Sequence, residues 1–181
     1  MAENTTAPNL ILGSASPRRA DLLRRLGVSF VVETIDIDEQ ALVASNDVVA
    51  VVSRIAQAKF AAFAEQDEPR EGPLLTADTL VACNGEILGK PNRNDDVTAM
   101  LSAMSGQSLT IATAVCFGLV GAAPLTEVVT TRVDLRELDE GHIARYVASG
   151  VGLDKAAGLA LQAEAGEFIA TVDGCLSLIH I

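Results

Sequence analysis

A chain of 181 residues is long enough for one domain, or two closely packed lobes, around a real core. With 49% apolar and 20% charged residues it reads as folded rather than disordered. The formal net charge of -11, from 24 acids against 13 bases, argues against a nucleic-acid binder that relies on a general positive field.

There is no tryptophan and one tyrosine, Tyr146, so a stacking platform for single strands is also excluded. Cys83, Cys116 and Cys175 are far apart and include no CxxC pair, which points to reduced thiols rather than a disulfide framework or a zinc site. Residues 1–8 lack the basic-then-apolar pattern of a signal peptide. The longest apolar run, 109–125, is broken by Thr110, Thr113, Gly118, Gly121 and Pro124 and falls short of the ~20 residues of a membrane helix. The expectation is a cytoplasmic protein with no membrane partner.

In chain order, Leu10-Ile11-Leu12-Gly13 predicts a buried strand and residues 20–26 a helix closed by Gly27. Between them lies Ser14-Ala15-Ser16-Pro17-Arg18-Arg19, with Ser16 as N-cap and Pro17 at the first helical position. Two readings stand for this turn. It is a capped helix with two surface arginines, or a helix N-terminus and two guanidinium forks that meet a phosphate. Phe30-Val31-Val32-Glu33 predicts a second strand. The acidic segment Asp36-Ile37-Asp38-Glu39 follows, with Asp36 and Asp38 on one side and Glu39 on the other if it is extended. Such carboxylates either solvate a loop or hold a hard divalent cation.

A long helix is predicted over 47–64, capped by Asp47, with Arg54 and Lys59 as its only bases; on spacing alone these mark its wet face. Residues 74–83 form a strand pattern interrupted by Asp78 and ending at an Asn84-Gly85 turn. A carboxylate inside an apolar strand costs several kcal/mol unless a cation or hydrogen-bond donors meet it. The returning strand Glu86-Ile87-Leu88 carries Gly89-Lys90-Pro91 back toward Asp78. A helix over 95–104, an antiparallel ribbon of 109–119 and 125–136, a helix capped by Asp139, and a closing strand over 168–172 complete the chain. The pattern is α/β with a mixed sheet.

Neither GxxxxGK[ST] nor GxGxxG is present, and His142 and His180 are the only histidines, which leaves little for a histidine triad or a histidine metal site. What remains is carboxylates, Asp78 and Glu39, and the bases Arg18, Arg19, Lys59, Lys90 and Lys155. Carboxylates that hold Mg²⁺ or Mn²⁺ opposite lysines and arginines are common equipment for cleaving a phosphoanhydride.

Together, Ser14-Ala15-Ser16-Pro17-Arg18-Arg19 with Leu22-Leu23, Ala77-Asp78-Thr79, Gly89-Lys90-Pro91, Ser105-Gly106 and Asp154-Lys155-Ala156 resemble the Maf family of nucleoside triphosphate pyrophosphatases, from about residue 10 to 174. The resemblance implies an α/β fold with an elongated mixed sheet and two lobes around a cleft, related to the inosine triphosphate pyrophosphatases. It implies hydrolysis of a nucleoside triphosphate between the α- and β-phosphates with a divalent cation, Mg²⁺ or Mn²⁺. By position, Asp78 matches the proton acceptor, assisted by Lys59 and Lys90. Ser14, Arg18, Arg19, Glu39, Lys59 and Lys90 match the polar lining of the cleft, and Arg18, Thr79 and Gln162 match positions associated with base selectivity. The expected substrate contacts are Ser14, Arg18, Arg19, Thr79, Lys155 and Gln162, and the expected metal ligands are Glu39 and Asp78. Arg18, Thr79 and Gln162 carry the residue types of the branch acting on dTTP and UTP, so Arg18 is expected to serve the base and Arg19 the phosphates. The oligomer left open is a homodimer.

Alternatives are a catalytically silent nucleotide-binding regulator of cell division and a 7-methyl-GTP-type pyrophosphatase; the latter branch lacks the Asp-Thr pair and the Asp-Lys-Ala segment. Ala157 and Leu159 stand where the family usually has glycine and an aromatic, and Leu109 where a histidine is common. Residues 175–181 depart from the family altogether, and Leu176-Ser177-Leu178-Ile179-His180-Ile181 reads as the translation of a sequencing adapter. The expectation is a family domain over 1–174 whose last strand and helix are truncated.

Overall fold

Four consecutive buried residues open the sheet. In the computed structural model, which describes residues 10–66, 72–153, 155–160 and 164–175, β1 (Leu10–Gly13) is covered on both faces, as its unbroken apolar run requires. It lies parallel to β2 (Phe30–Val32) on one side and to β3 (Pro73–Cys83) on the other. The rest of the sheet is antiparallel: β3 pairs with β5 (Ser108–Leu119), β5 with β6 (Leu125–Leu135), and β6 with β7 (Ile169–Asp173). The order is β2-β1-β3-β5-β6-β7, and short β4 (Glu86–Leu88) joins β3 beyond the end of β1. Asn84 and Gly85, both at positive φ (51° and 81°), make the two-residue turn from β3 into β4, as the Asn-Gly pair predicts.

Side-chain alternation along β3 assigns the helices to faces. Leu74 packs with Val52, Ala56, Phe60 and Phe63 of α2 (Val48–Ala64), together with Ile11 of β1. On the opposite face Leu75 packs with Leu10, Leu12 and the α1 (Pro17–Arg25) residues Ala20 and Leu23. Farther along that second face, Val81 and Cys83 join Ile111, Val133, Leu101 of α3 (Asn94–Met104) and Tyr146 of α4 (Glu140–Ser149). One helix therefore covers one face, while the other carries two separate lobes, α1 over β1 and α3–α4 over β5–β6, with a cleft between them.

Most predicted elements fall where their patterns place them. Asp47 caps α2 by accepting from Val49 and Ala50 N–H at 3.1 Å each, and Asp139 caps α4 through the His142 N–H. Three local expectations are corrected. Ser16 precedes α1 but its hydroxyl makes no cap bond; instead the Ser16 N–H donates to Ser14 Oγ. Phe168 ends a 3₁₀ turn, Glu164–Phe168, rather than beginning the strand, because its ring is drawn fully into the core beside Tyr146. Lys59 is not on the wet face of α2. Among the described residues no disulfide joins the three cysteines; Cys83 and Cys116 are buried and Cys175 is exposed. Among the described residues no helix is long and apolar enough to cross a membrane.

Candidate active site

One edge of β3 pairs with β5 from Pro73 to Cys83, while the other is interrupted. There pairing with β1 reaches only to Thr76 and pairing with β4 begins only at Val81, so, among the described residues, positions 77–80 have no strand neighbour on that side. A cavity of about 570 Å³ opens at this gap, between the turn before α1 and the segments around Lys90 and Lys155. A sheet that is split in this way exposes groups from both of its faces to one cleft.

Gly13 allows the split to be so tight. A Cβ there would lie 2.7 Å from Thr76 Cγ2 and 2.8 Å from Phe63 Cε2, so a larger residue would displace the end of β1. The turn that follows is tied to β3 by Arg19. Its Nη1 donates to Ser14 Oγ at 2.8 Å and to the Ala77 carbonyl at 2.6 Å, and its Nη2 to Thr79 Oγ1 at 3.4 Å. The Ala77 carbonyl thereby finds a donor where a neighbouring strand is missing. Burial lowers the Arg19 pKa to about 10, with the charge of Asp78 opposing that shift and the charge of Arg18 adding to it. The group still carries its charge at neutral pH.

On the α2 side, Lys59 Nζ stands 2.7 Å from both Asp78 Oδ1 and Glu39 Oε1. The side chains of Lys59 and Asp78 are 13% and 10% exposed, against 38% for Glu39. That difference sorts the two acids. Burial raises the Asp78 pKa by more than Lys59 and Arg19 lower it. Burial also acts on half-buried Glu39, but the Lys59 hydrogen bond and charge, with help from Lys90 and Arg19, hold it below its ordinary value. Asp78 Oδ2 is buried and has no hydrogen-bond partner among the described residues, so lysine holds one carboxylate oxygen and not the other. Asp36 and Asp38 are exposed, but the segment is not a strand and Glu39 has helical backbone angles, so alternation does not separate the acids: Asp36 lines the same cavity as Glu39.

The far wall is a tight segment carrying Lys155, Ala156 and Leu159. Ala157 is fully buried in the left-handed region (φ 55°, ψ 16°), which costs an alanine on the order of 1 kcal/mol and which glycine adopts freely. The segment is held by Ala157 N–H donating to the Gly89 carbonyl at 2.8 Å, next to Lys90, and by Tyr146. The Tyr146 hydroxyl donates to the Gly158 carbonyl and accepts from the Ala160 N–H, each at 2.8 Å and buried. Tyr146→Phe is therefore expected to cost about 2 kcal/mol, because it strands a buried carbonyl and a buried N–H; urea unfolding of the two proteins measures it.

The ordered motifs, the α/β architecture and this cleft have an independent counterpart. A family model described as Maf-like protein matches residues 9–180. The chain belongs to the Maf-like family. Among curated relatives of this Maf-like protein, a dTTP/UTP pyrophosphatase of Syntrophomonas wolfei is 38% identical over 165 residues, spanning 91% of this chain and 86% of the relative. A dTTP/UTP pyrophosphatase of Myxococcus xanthus is 40% identical over 168 residues, spanning 93% and 83%. A solved nucleoside-triphosphatase / dITP/XTP pyrophosphatase of Mycobacterium abscessus aligns over 86% of this chain and 91% of its own, at 13% identity and a TM-score of 0.42, a loose likeness.

Of the site residues expected from the sequence, Ser14, Arg18, Arg19, Glu39, Lys59, Asp78, Thr79, Lys90 and Lys155 all line the one cavity. Gln162 lies outside the described residues, as do Asp154 and residues 176–181. The sequence reading missed the apolar part of the lining, Val81, Ile111 and Leu159, and the supporting hydroxyls of Thr113 and Tyr146. Each of these looks like ordinary core or strand in the sequence.

Proposed function

We propose that this Maf-like protein hydrolyses nucleoside triphosphates of the dTTP/UTP type to the nucleoside monophosphate and pyrophosphate. The observation that carries the reading is a buried carboxylate, Asp78, with one oxygen held by Lys59 and the other unpartnered among the described residues, set in a cleft ringed by cationic side chains. Water attacks the α-phosphorus, Asp78 Oδ2 accepts its proton, and the bond to the α–β bridging oxygen breaks to release pyrophosphate. Lys59 holds Asp78 in place and, with Lys90, offsets charge that develops in the transition state. Arg19 and the turn before α1 face the phosphates, with Ser14 fixing the guanidinium; Lys155 meets them from the opposite wall, and Arg18, Thr79 and Gln162 serve the base.

The donor set suits a divalent cation. Among the described residues no cluster of three His, Cys, Asp or Glu side chains exists. Mg²⁺, however, is commonly held by one or two carboxylates plus substrate phosphates, and the carboxylates of Asp78 and Glu39 offer that number, in oxygen ligands only. Mg²⁺ or Mn²⁺ held there would supply neutralising charge to the departing pyrophosphate.

The test is pyrophosphate release from a panel of dTTP, UTP, CTP, GTP, 7-methyl-GTP and ATP with Mg²⁺ or Mn²⁺. Turnover is expected on dTTP and UTP first and is expected to stop with a chelator. Binding without any release would turn the protein into a silent nucleotide sensor and overturn the reading.

A further inference from the structure

The cleft is lined by charged side chains and by an apolar set, Val81, Ile111 and Leu159, and a pair of threonines stands beside that set. On the face of the sheet opposite α2, Thr79 and Val81 of β3 lie directly across from Thr113 and Ile111 of β5. The four side chains form one tile, with Leu159 beside it in the cavity lining. Val81, Ile111 and Leu159 are between 3% and 6% exposed, core side chains that give this part of the cavity wall its apolar character. Thr79 is half-buried and reaches the cavity, whereas Thr113 is 1% exposed and does not line it.

The two hydroxyls are joined, with Oγ1 to Oγ1 at 3.0 Å. Thr79 Oγ1 also receives Arg19 Nη2–H at 3.4 Å, and a guanidinium can only donate. One lone pair of the Thr79 hydroxyl is therefore committed. The bond to Thr113 engages either its proton or its other lone pair, and what is left faces the cavity. Either way, the buried threonine determines whether Thr79 offers the ligand a donor or an acceptor.

We propose that Thr113, which does not line the cavity, is a specificity-determining positioning residue: through Thr79 it sets the hydrogen-bond polarity with which the cleft reads a base edge. The proposal rests on the pyrophosphatase reading above and on the base lying beside that apolar set. Uracil and cytosine are a matched pair of probes, because they are nearly the same shape but exchange a carbonyl and N–H for an amino group and a ring nitrogen. With a fixed Thr79 hydroxyl, one of them is mismatched. With a rotating hydroxyl, neither is.

The experiment compares kcat/KM for UTP and CTP in the wild type, Thr113→Val, Thr113→Ser and Thr113→Ala, with each variant's Tm recorded. Valine keeps the shape and deletes the hydroxyl. The UTP:CTP ratio is expected to fall about 10-fold in Thr113→Val, the scale of one hydrogen bond, to fall likewise in Thr113→Ala, and to stay within about 3-fold of wild type in Thr113→Ser. A purely structural role would lower both substrates together and leave the ratio alone. In a Thr79→Val background, where the relay has no terminus, Thr113→Val is expected to leave the ratio unchanged. A wild type that releases pyrophosphate from no nucleotide defeats the pyrophosphatase reading itself. An active wild type whose ratio survives Thr113→Val, or which never distinguishes UTP from CTP, overturns the proposal alone.

Discussion

Asp78→Asn is expected to lower kcat for dTTP or UTP roughly 10²- to 10⁴-fold, the range of a lost general base, with nucleotide affinity changed only a few-fold. The amide keeps the shape of the carboxylate and can still accept from Lys59 Nζ, which retains its second partner in Glu39. What it loses is the basicity of Oδ2, the buried oxygen that no donor among the described residues meets. Stopped-time pyrophosphate assays and equilibrium nucleotide binding separate the two effects. Unchanged turnover would remove Asp78 from its role. The pH profile adds an independent check. Burial raises the Asp78 pKa in the free enzyme, and the base works only when ionised, so wild-type kcat/KM is expected to climb with pH through a limb lying above the usual carboxylate range. That limb should be absent from whatever activity Asp78→Asn retains.

Lys59→Met is expected to be the most damaging single change to the site, in both activity and stability. It leaves Asp78 and Glu39 facing one another across a position that held a cation 2.7 Å from each. Removing one partner of a buried ion pair costs about 3–5 kcal/mol when the survivor stays charged, and here the Asp78 carboxylate is 10% exposed. Protonation gives the variant a way out. With the lysine gone, the larger of the two influences that hold the Asp78 pKa down is gone, and Arg19 alone opposes burial and Glu39, so the pKa rises further. A carboxyl whose folded pKa exceeds its unfolded value binds a proton more tightly when folded. Its contribution is therefore present at low pH and lost as pH rises through the folded pKa. The expected signature is a denaturation midpoint for Lys59→Met that lies far below wild type at pH 8 and closes part of the gap near pH 5. A gap independent of pH would mean that Lys59 acts through packing alone. Activity should fall at least as far as in Asp78→Asn, with any residual acid limb moved to higher pH.

Much of the architecture could be read locally. Leu10–Gly13 is apolar throughout because both its faces are covered, and Asn84-Gly85 turns the chain because both residues adopt positive φ. Asp47 and Asp139 mark helix starts because their carboxylates accept the first free N–H groups. Lys59 shows where local reading stops. Helical spacing assigns it to solvent, and only the packing of α2 across β3 brings its ammonium over Asp78, nineteen residues away. Thr113 is a second case: a threonine in a strand is unremarkable until the β3–β5 register sets it opposite Thr79. Tyr146 is a third, since its hydroxyl serves a segment twelve and fourteen residues downstream.

The sequence by itself determined the class of chemistry. With so few histidines and neither common glycine-rich nucleotide loop, the groups on offer for phosphoanhydride chemistry are carboxylates, lysines and arginines, and the order of the motifs that carry them points to the Maf-like family. The tertiary structure alone decided how those groups become a site. Pairing of β3 with β1 ends at Thr76 and its pairing with β4 begins at Val81, so among the described residues four positions of β3 lack a strand neighbour on that edge, and Asp78 from one face and Thr79 from the other open into a single cleft. A strand's side chains alternate by local geometry, but whether its edge is covered depends on where other segments of the chain end, and no local pattern records that.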